Sequence, residues 1–102
     1  MNHAKQTPDK TRSLCTAMQQ LSNHTNLRII QLLYNEGITM NFVLRRRLGI
    51  TTQLASKRLK ALSAVGLVTS EHIFKRKVYR LNRERFAAIG VSLEMLLKDL
   101  SC

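Results

Sequence analysis

Residues 41–66 read NFVLRRRLGITTQLASKRLKALSAVG, and this stretch decides the fold. Apolar periodicity predicts a short helix over 41–48 and a longer one from 52 to about 65, and a glycine follows each of them. Thr51 carries the hydroxyl that favours an N-cap at the start of the longer helix. Two helices of this length, joined by a turn that contains glycine, form a helix-turn-helix.

The longer of these helices has two chemically different faces. Ala55, Leu59 and Leu62 recur at helical spacing and predict a face that packs against the core. The opposite face is polar and basic, and it consists of Thr52, Gln53, Ser56, Lys57 and Lys60.

Helical spacing of apolar residues predicts two helices before this motif and one after it. The first covers about 11–22, and the second follows Asn23, an N-cap, and ends before Gly37. After the motif, Asn82 caps a single last helix that runs to about Leu100.

Short β segments complete the pattern. Residues 38–40 are compatible with a brief strand, and 67–72 and 77–81 predict a hairpin with a short basic tip. The turn of this hairpin lacks the usual glycine or asparagine. The predicted order is helix, helix, short strand, helix, helix, hairpin, helix. We therefore expect a mainly α-helical protein with a small β-hairpin wing, which is the winged helix-turn-helix architecture.

Length and composition fit one globular domain. The chain has 102 residues, of which 44% are hydrophobic, and this is enough for one core. We expect a flexible N-terminal tail over 1–9 and a domain over 10–102. No apolar run approaches the ~20 residues of a membrane span, and the polar N-terminus lacks a secretory signal. A cytoplasmic protein without a membrane partner is expected.

The charge of the chain points to a polyanionic partner. Lys and Arg number 17 against 6 Asp and Glu, which gives a net charge of +11. Twelve of the 17 basic residues lie between Arg45 and Arg85, with only Glu71 and Glu84 as acids in that interval. Nucleic acid or an anionic membrane surface would attract such a chain, and the concentration of charge around the helix-turn-helix favours nucleic acid.

Several segments resemble the ArsR/SmtB family of small bacterial transcriptional regulators. Residues 21–30, LSNHTNLRII, are similar to the start of the family's second helix, and 50–62, ITTQLASKRLKAL, followed by GLV at 66–68, to its recognition helix. Residues 78–82, VYRLN, resemble its wing. The resemblance covers about 13–98 and implies a homodimeric DNA-binding transcriptional regulator of the repressor type.

The resemblance does not extend to the family's metal sites. Many metal-sensing members carry Cys-x-Cys where this chain has Met40 and Phe42. Others bind metal between their last helices through Asp, His and Glu, whereas here the last helix has no histidine and its acids are Glu84, Glu94 and Asp99. Thiolates, imidazoles and paired carboxylates are the groups that hold such metals. We therefore expect no metal and no other cofactor.

Catalytic patterns are also missing from the sequence. The three histidines, His3, His24 and His72, are too dispersed for ligation, and His24 is expected in the first turn of the second helix. No nucleophile–base set and no glycine-rich phosphate loop occurs at suitable spacing. We expect that the protein is not an enzyme.

The residue types of the second motif helix suit recognition of duplex DNA. The N-terminal turns of an α-helix can reach base edges in the major groove, and Gln53 can form a bidentate pair with adenine, supported by Thr52 and Ser56. The expected phosphate contacts, which supply affinity without reading sequence, are Lys57, Arg58 and Lys60 of the helix and Lys75, Arg76 and Lys77 of the wing. Because alternate strand residues face opposite ways, we expect Lys75 and Lys77 to share one face and Arg76 to lie on the other, so that the three do not all contact one strand of DNA.

The triplet Arg45-Arg46-Arg47 lies in the short motif helix. Successive helical residues point about 100° apart, so at most two of the three face one surface. We expect one or two backbone contacts, with Arg45 and Arg46 as the candidates. One of the triplet is expected in solvent or in an ion pair with Glu36 or Glu71.

The first and last helices carry more apolar surface than a small core consumes. The residues concerned are Leu14, Met18, Leu21, Leu93, Leu96, Leu97 and Leu100. A homodimer built from these two helices explains them, and it would present two recognition helices to a nearly palindromic site. The alternative is that the stripe covers only the protomer's own core.

The two cysteines are too few for a disulfide framework. Cys15 in the first helix and Cys102 at the C-terminus could form a redox-sensitive pair at a dimer seam. The more ordinary interpretation is a half-buried small residue and a mobile terminal thiol.

Two other functions fit the same sequence. A winged helix can use its exposed face for protein partners, in which case random duplex DNA would not bind at low salt. An architectural DNA- or RNA-binding protein would bind without enriching any motif from random sequences. Membrane binding is the weakest alternative, because the chain lacks a basic amphipathic helix with aromatic anchors.

Overall fold

The computed structural model describes the backbone of residues 3–101 and the side chains of residues 11–100. Over this range the chain forms helices and strands in the order α1 (His3–Leu21), α2 (His24–Glu36), β1 (Thr39–Met40), α3 (Asn41–Leu48), α4 (Thr52–Ala64), β2 (Val68–Ile73), β3 (Arg76–Leu81), α5 (Arg83–Ala88) and α6 (Leu93–Ser101). This order confirms the predicted winged helix-turn-helix.

The three strands form one antiparallel sheet in the order β1-β3-β2. The brief strand predicted near residue 39 is confirmed, because Thr39 of β1 pairs with Tyr79 of β3. The predicted hairpin is confirmed as well, and its ladder runs from the pair Val68–Leu81 to the pair Ile73–Arg76 at the tip. The sheet thus connects the segment before α3 to the wing.

A single apolar core lies between the helices and the base of the hairpin. Ala55, Leu59 and Leu62 of α4 are all at most 1% exposed, which confirms the predicted inner face of this helix. The core continues through Ile29, Ile30 and Leu33 of α2, Leu44 of α3, Leu67, Val68, and Phe86 of α5. Burial of one face of α4 leaves its opposite face directed away from the core.

Side-chain caps fix where the helices begin. The Asn23 Oδ1 atom accepts a hydrogen bond of 2.9 Å from the backbone N–H of Asn26 at the start of α2. Thr51 Oγ1 accepts one of 3.1 Å from the N–H of Leu54 at the start of α4, and Asn82 caps α5 in the same way. Each bond satisfies a backbone donor that the first helical turn leaves free, and the three predicted caps are confirmed.

Helix α1 begins at His3, earlier than the predicted start near residue 11. The prediction relied on apolar periodicity, which begins only at Leu14. Residues 3–10 include alanine, lysine and glutamine, which favour a helix without requiring burial. The division into a flexible tail over 1–9 and a domain over 10–102 stays a prediction.

The single helix predicted after Asn82 is wrong, because the segment consists of two helices. Helix α5 ends at Ala88, Gly90 has a φ of +77°, and α6 starts at Leu93. Ser92 Oγ accepts a hydrogen bond of 3.3 Å from the N–H of Met95 and so caps α6. Apolar residues on either side of the break keep helical spacing, so periodicity alone does not reveal it, whereas the glycine and the serine are the local signals.

The wing turns through two residues, Phe74 and Lys75. Their φ angles are +50° and +68°, and a positive φ at both central positions is typical of the tight hairpin turn that normally contains Asn-Gly. Lys75 therefore lies in the turn and not in a strand. The expectation that Lys75 and Lys77 share one strand face is wrong for that reason.

Replacing Phe74 by asparagine should stabilise the fold by about 1 kcal/mol, since asparagine adopts a positive φ more readily than phenylalanine does. The Phe74 ring is 95% exposed, so its removal forfeits little buried area. Urea unfolding followed by circular dichroism measures the difference. Phe74→Ala is the control and should not gain as much, because alanine shares the penalty of a Cβ without the local hydrogen bonds of asparagine. A Phe74→Asn protein no more stable than Phe74→Ala would contradict this assignment of strain.

Candidate nucleic-acid interface

The outer face of α4 presents the predicted recognition residues to solvent. Thr52, Gln53, Ser56, Lys57 and Lys60 are all exposed, on the side opposite the buried face. The side chain of Arg58 is half-buried. This arrangement follows from the 3.6-residue period, because one stripe of α4 is held in the core and the polar stripe is left outside.

Ser56 also connects the two helices of the motif. Asn41 Nδ2, at the start of α3, donates a hydrogen bond of 3.1 Å to Ser56 Oγ. The hydroxyl proton of Ser56 is still able to donate outward, since its oxygen is the acceptor here. The sequence does not reveal this role of Asn41, because nothing distinguishes it there from other polar residues. Its contact helps to set the position of α4 relative to α3.

Three lysines of the proposed interface have no partner among the described side chains. Among residues 11–100, Lys57, Lys60 and Lys75 are exposed and have no hydrogen bond or ion pair with another described side chain. Two other wing cations lie close to neighbouring groups: Lys77 Nζ is 5.6 Å from the centre of the Tyr79 ring, and Arg76 Nη1 is 4.0 Å from Met40 Sδ. Both remain exposed, so the wing carries three cations available to an external anion.

The arginine triplet of α3 is divided between two roles. Arg47 Nη2 lies 3.5 Å from Glu36 Oε2, which confirms that one of the three pairs with an acid. The guanidinium groups of Arg45 and Arg46 lie 5.2 and 5.5 Å from the centre of the Phe42 ring. Arg45 and Arg46 are therefore the members of the triplet without an acidic partner among the described residues.

Other cations of the basic region serve the fold. Arg80 forms an ion pair with Glu71 across the hairpin, so Glu71 is the partner of Arg80 and not of the triplet. Arg85 Nε donates to the carbonyl of Val65 at 3.1 Å, and Arg85 Nη2 donates to Ser13 Oγ at 2.8 Å. Arg85 thereby satisfies a carbonyl at the end of α4 and ties α5 to α1.

A cation–π contact connects Arg83 of α5 to Tyr34 of α2. The Arg83 guanidinium is 4.8 Å from the centre of the Tyr34 ring, and the Tyr34 hydroxyl donates to Glu94 Oε2 at 3.3 Å. These contacts join α2 to α5 and α6. Sequence reasoning counted Arg80, Arg83 and Arg85 in the basic cluster and could not separate them from the unpaired lysines.

The apolar surface predicted for a dimer is smaller than the sequence suggests. Leu93 and Leu97 are 5% and 8% exposed and belong to the protomer's own core, so the expectation that they form a surface patch is wrong. The break before α6 turns them inward. Leu14 and Met18 of α1 are 41% and 45% exposed, and Met95 of α6 is 70% exposed; these three side chains remain available to a second protomer.

Of the two cysteines considered as a redox-sensitive pair, only Cys15 lies among the described side chains, so the pair stays a prediction. Cys15 is an exposed free thiol, and Cys102 lies outside the described residues. No group of three or more His, Cys, Asp or Glu side chains is close enough to hold a metal ion within the part of the chain that the structure describes. No described helix has both the length and the apolar character to cross a membrane.

Comparison with known proteins gives matches among solved structures. No protein-family model and no curated protein matches the sequence. A homodimeric winged helix-turn-helix DNA-binding domain from Mycobacterium bovis, named as a possible ArsR-family transcriptional regulator, has a TM-score of 0.77 and 22% identity, with 92% of this chain and 85% of that chain covered.

Two further structures have slightly higher identity. An ArsR-like transcriptional regulator from Rhodococcus sp. RHA1 has a TM-score of 0.76 and 25% identity, with 91% of this chain and 87% of that chain covered. The transcriptional regulator HlyU from Vibrio vulnificus has a TM-score of 0.67 and 25% identity, with 100% of both chains covered. The structural neighbours are thus ArsR-family winged helix-turn-helix transcriptional regulators rather than enzymes, and the chain has their fold.

Proposed function

We propose that the protein is a homodimeric transcriptional regulator that binds duplex DNA by sequence and acts as a repressor in the cytoplasm. The proposal rests mainly on the exposure of the polar outer face of α4. Its Gln53, Lys57 and Lys60 side chains are exposed and make no hydrogen bond or ion pair with described residues. Ordered polar groups on a rigid helix, surrounded by unpaired cations, suit a polyanion with readable edges.

The proposed mechanism places α4 in the major groove. Gln53 lies in the first turn, where its amide can accept from adenine N6 and donate to adenine N7. Thr52 and Ser56 lie one turn apart on the same side and can donate to or accept from either base of a pair. The α4 cations Lys57, Arg58 and Lys60 would hold the phosphates on the flanks of the groove and fix the register of the helix.

The α3 helix and the wing extend this contact along the DNA. Arg45 and Arg46 have no acidic partner among the described residues and would bind phosphates beside α4. The wing cations, Lys75, Arg76 and Lys77, would bind the backbone on the other side of the recognition helix. Together these groups give affinity, while Gln53 and its neighbours give sequence preference.

Dimerisation through α1 and α6 would double the interface. Leu14, Met18 and Met95 are apolar side chains that a monomer leaves in water, and burial of such surface favours association. The neighbour from M. bovis is a homodimer by its own description. Two α4 helices related by a two-fold axis would contact half-sites about one helical turn apart, so the target would be nearly palindromic.

Two single substitutions test which side chains contact bases and which contact phosphates. Replacing Gln53 by alanine should reduce binding to the preferred duplex by about 1–3 kcal/mol per lost bidentate pair and relax sequence preference at that position. Replacing Lys60 by alanine should weaken binding to all duplexes alike. The measurement is fluorescence anisotropy on a duplex selected from random sequence and on a scrambled duplex of equal length.

Lys98→Ala is the matched control, since it removes one lysine from α6, where no DNA contact is proposed, and sedimentation checks that the variant has the same oligomeric state as the unmodified protein. It should leave both affinities nearly unchanged. An equal and uniform loss for Gln53→Ala and Lys60→Ala would refute the assignment of base reader and phosphate contact. Failure of the unmodified protein to bind any duplex at low salt would favour the protein-interaction alternative, and binding without an enriched motif would favour an architectural role.

The repressor part of the proposal has its own test. A selected binding site is placed across a promoter in a purified transcription system. Adding the protein should reduce transcription from that promoter. Increased transcription from the same template would assign the protein as an activator instead.

A further inference from the structure

The tip of the wing exposes an aromatic ring that the fold does not use. The Phe74 side chain is 95% exposed, whereas the Tyr79 side chain, in the same hairpin, is only 9% exposed. Phe74 also has a φ of +50°, a left-handed conformation that residues other than glycine, asparagine and aspartate rarely adopt. The residue thus adds strain and gains almost no burial within the protomer, so folding does not explain it.

The surroundings of the ring are strongly basic. Lys75, Arg76 and Lys77 follow Phe74 directly and are all exposed. The only acid of the hairpin sequence, Glu71, is paired with Arg80. The tip therefore combines one apolar ring with three positive charges that no acid of the hairpin neutralises. A partner that suits it has closely spaced anions beside an apolar surface.

We infer that Phe74 is an apolar wedge that enters the minor groove of duplex DNA next to the site contacted by α4 and partly unstacks a base step. This inference rests on the proposed function and deepens it. Phenylalanine is among the side chains that minor-groove proteins insert between base pairs. Lys75, Arg76 and Lys77 would meanwhile bind the phosphates that border the groove.

The dimensions of the hairpin agree with this placement. Each strand has six residues, and at about 3.3 Å per residue the hairpin extends roughly 20 Å. The minor groove adjacent to a major-groove contact lies about half a helical turn away, roughly 17 Å along the axis. Val68, at the base of the hairpin, is buried at 1% exposure, so the base is anchored in the core that also holds α4.

DNA fits the tip better than a lipid surface does. The hairpin offers at its end only the Phe74 ring, which is 95% exposed, and the partly covered Ile73 side chain, which is 37% exposed. Stable membrane attachment requires a larger buried apolar area or a second anchor. The wing cations Lys75, Arg76 and Lys77 are exposed, as are Lys57 and Lys60 of α4. An insertion of this kind would favour flexible pyrimidine–purine steps outside the bases read by α4, and so contribute sequence preference by deformability.

The test compares Phe74→Asn with the unmodified protein on the duplex selected from random DNA. Asparagine is expected to preserve or raise the melting temperature, so a loss of binding is not a loss of folding. We expect affinity to fall about tenfold, in keeping with the contribution of a base–aromatic contact. The slope of log K against log salt should not change, because no cation is removed, whereas Lys75→Ala should make the slope shallower.

A spectroscopic signal locates the wedge. Duplexes carry 2-aminopurine in place of adenine at successive positions outside the half-sites, and its fluorescence rises when a base is unstacked. The unmodified protein and Phe74→Trp should raise the fluorescence at one step beside each half-site, and Phe74→Asn should not. This signal is independent of the affinity measurement.

Three outcomes would overturn the inference. Equal affinity and equal fluorescence for Phe74→Asn and the unmodified protein would exclude the wedge and leave the proposed function standing. Absence of duplex binding by the unmodified protein would remove the proposed function together with the wedge. Tight binding to phosphatidylserine vesicles that Phe74→Asn abolishes, with DNA binding unchanged, would assign the tip to a membrane surface.

Discussion

Raising the salt concentration from about 50 to about 200 mM should weaken binding to duplex DNA by a factor of about 10³ to 10⁵. Each neutralised phosphate releases condensed counterions, and a dimer whose protomers each bind three to five phosphates would make roughly 6 to 10 such contacts. The exposed cations of one protomer are sufficient for this number: Lys57, Lys60, Lys75, Arg76 and Lys77.

Fluorescence anisotropy with a labelled duplex measures this dependence directly. The slope of log K against log salt should lie between about −5 and −9. Removing Lys75 should reduce the slope by about 2 for a dimer, since one phosphate contact is lost in each protomer. A slope near zero would mean that the basic surface is incidental to binding and would favour a protein partner.

Replacing Phe86 by alanine should destabilise the fold by about 3–5 kcal/mol. Phe86 is 1% exposed and lies in the core cluster with Leu59, Leu62 and Leu67. Alanine would leave a cavity under α5, the helix that Arg85 attaches to α1 and to the end of α4. The expected loss is a large part of the stability of a domain of this size.

Urea unfolding at a constant protein concentration measures the change, because the stability of a dimer depends on concentration. Phe74→Ala is the matched control: it is the same substitution at a ring that is 95% exposed, and it should change the free energy of unfolding by about 0.5 kcal/mol or less. Similar losses for the two variants would show that Phe86 does not occupy the core position described above.

Features that depend on residues within one helix can be predicted from the sequence. The inner face of α4, with Ala55, Leu59 and Leu62, follows from helical spacing, and the structure buries all three. Caps at Asn23, Thr51 and Asn82 were equally readable because they depend on hydrogen bonds between residues three apart. Both features are local, so no knowledge of the tertiary fold is required.

The helix break after Ala88 was not predicted, because two sequence signals disagree there. Apolar spacing from Phe86 to Leu97 continues as if one helix were present, and it outweighed the glycine at 90 and the serine at 92. The predicted dimer surface was too large as a result, because Leu93 and Leu97, which follow the break, belong to the core. The position of the hairpin turn has no local signal, because Phe74 and Lys75 are not the glycine or asparagine that normally marks a positive φ.

Composition and local periodicity alone establish that this chain is a small, basic, helix-rich protein with a helix-turn-helix and a β-hairpin. Only the tertiary structure decides which charges are free. Arg47, Arg80 and Arg85 find partners at Glu36, Glu71, Val65 and Ser13, while Lys57, Lys60 and Lys75 find none among the described residues. Pairing of charges depends on distances between elements that are far apart in the chain, and no local pattern contains those distances.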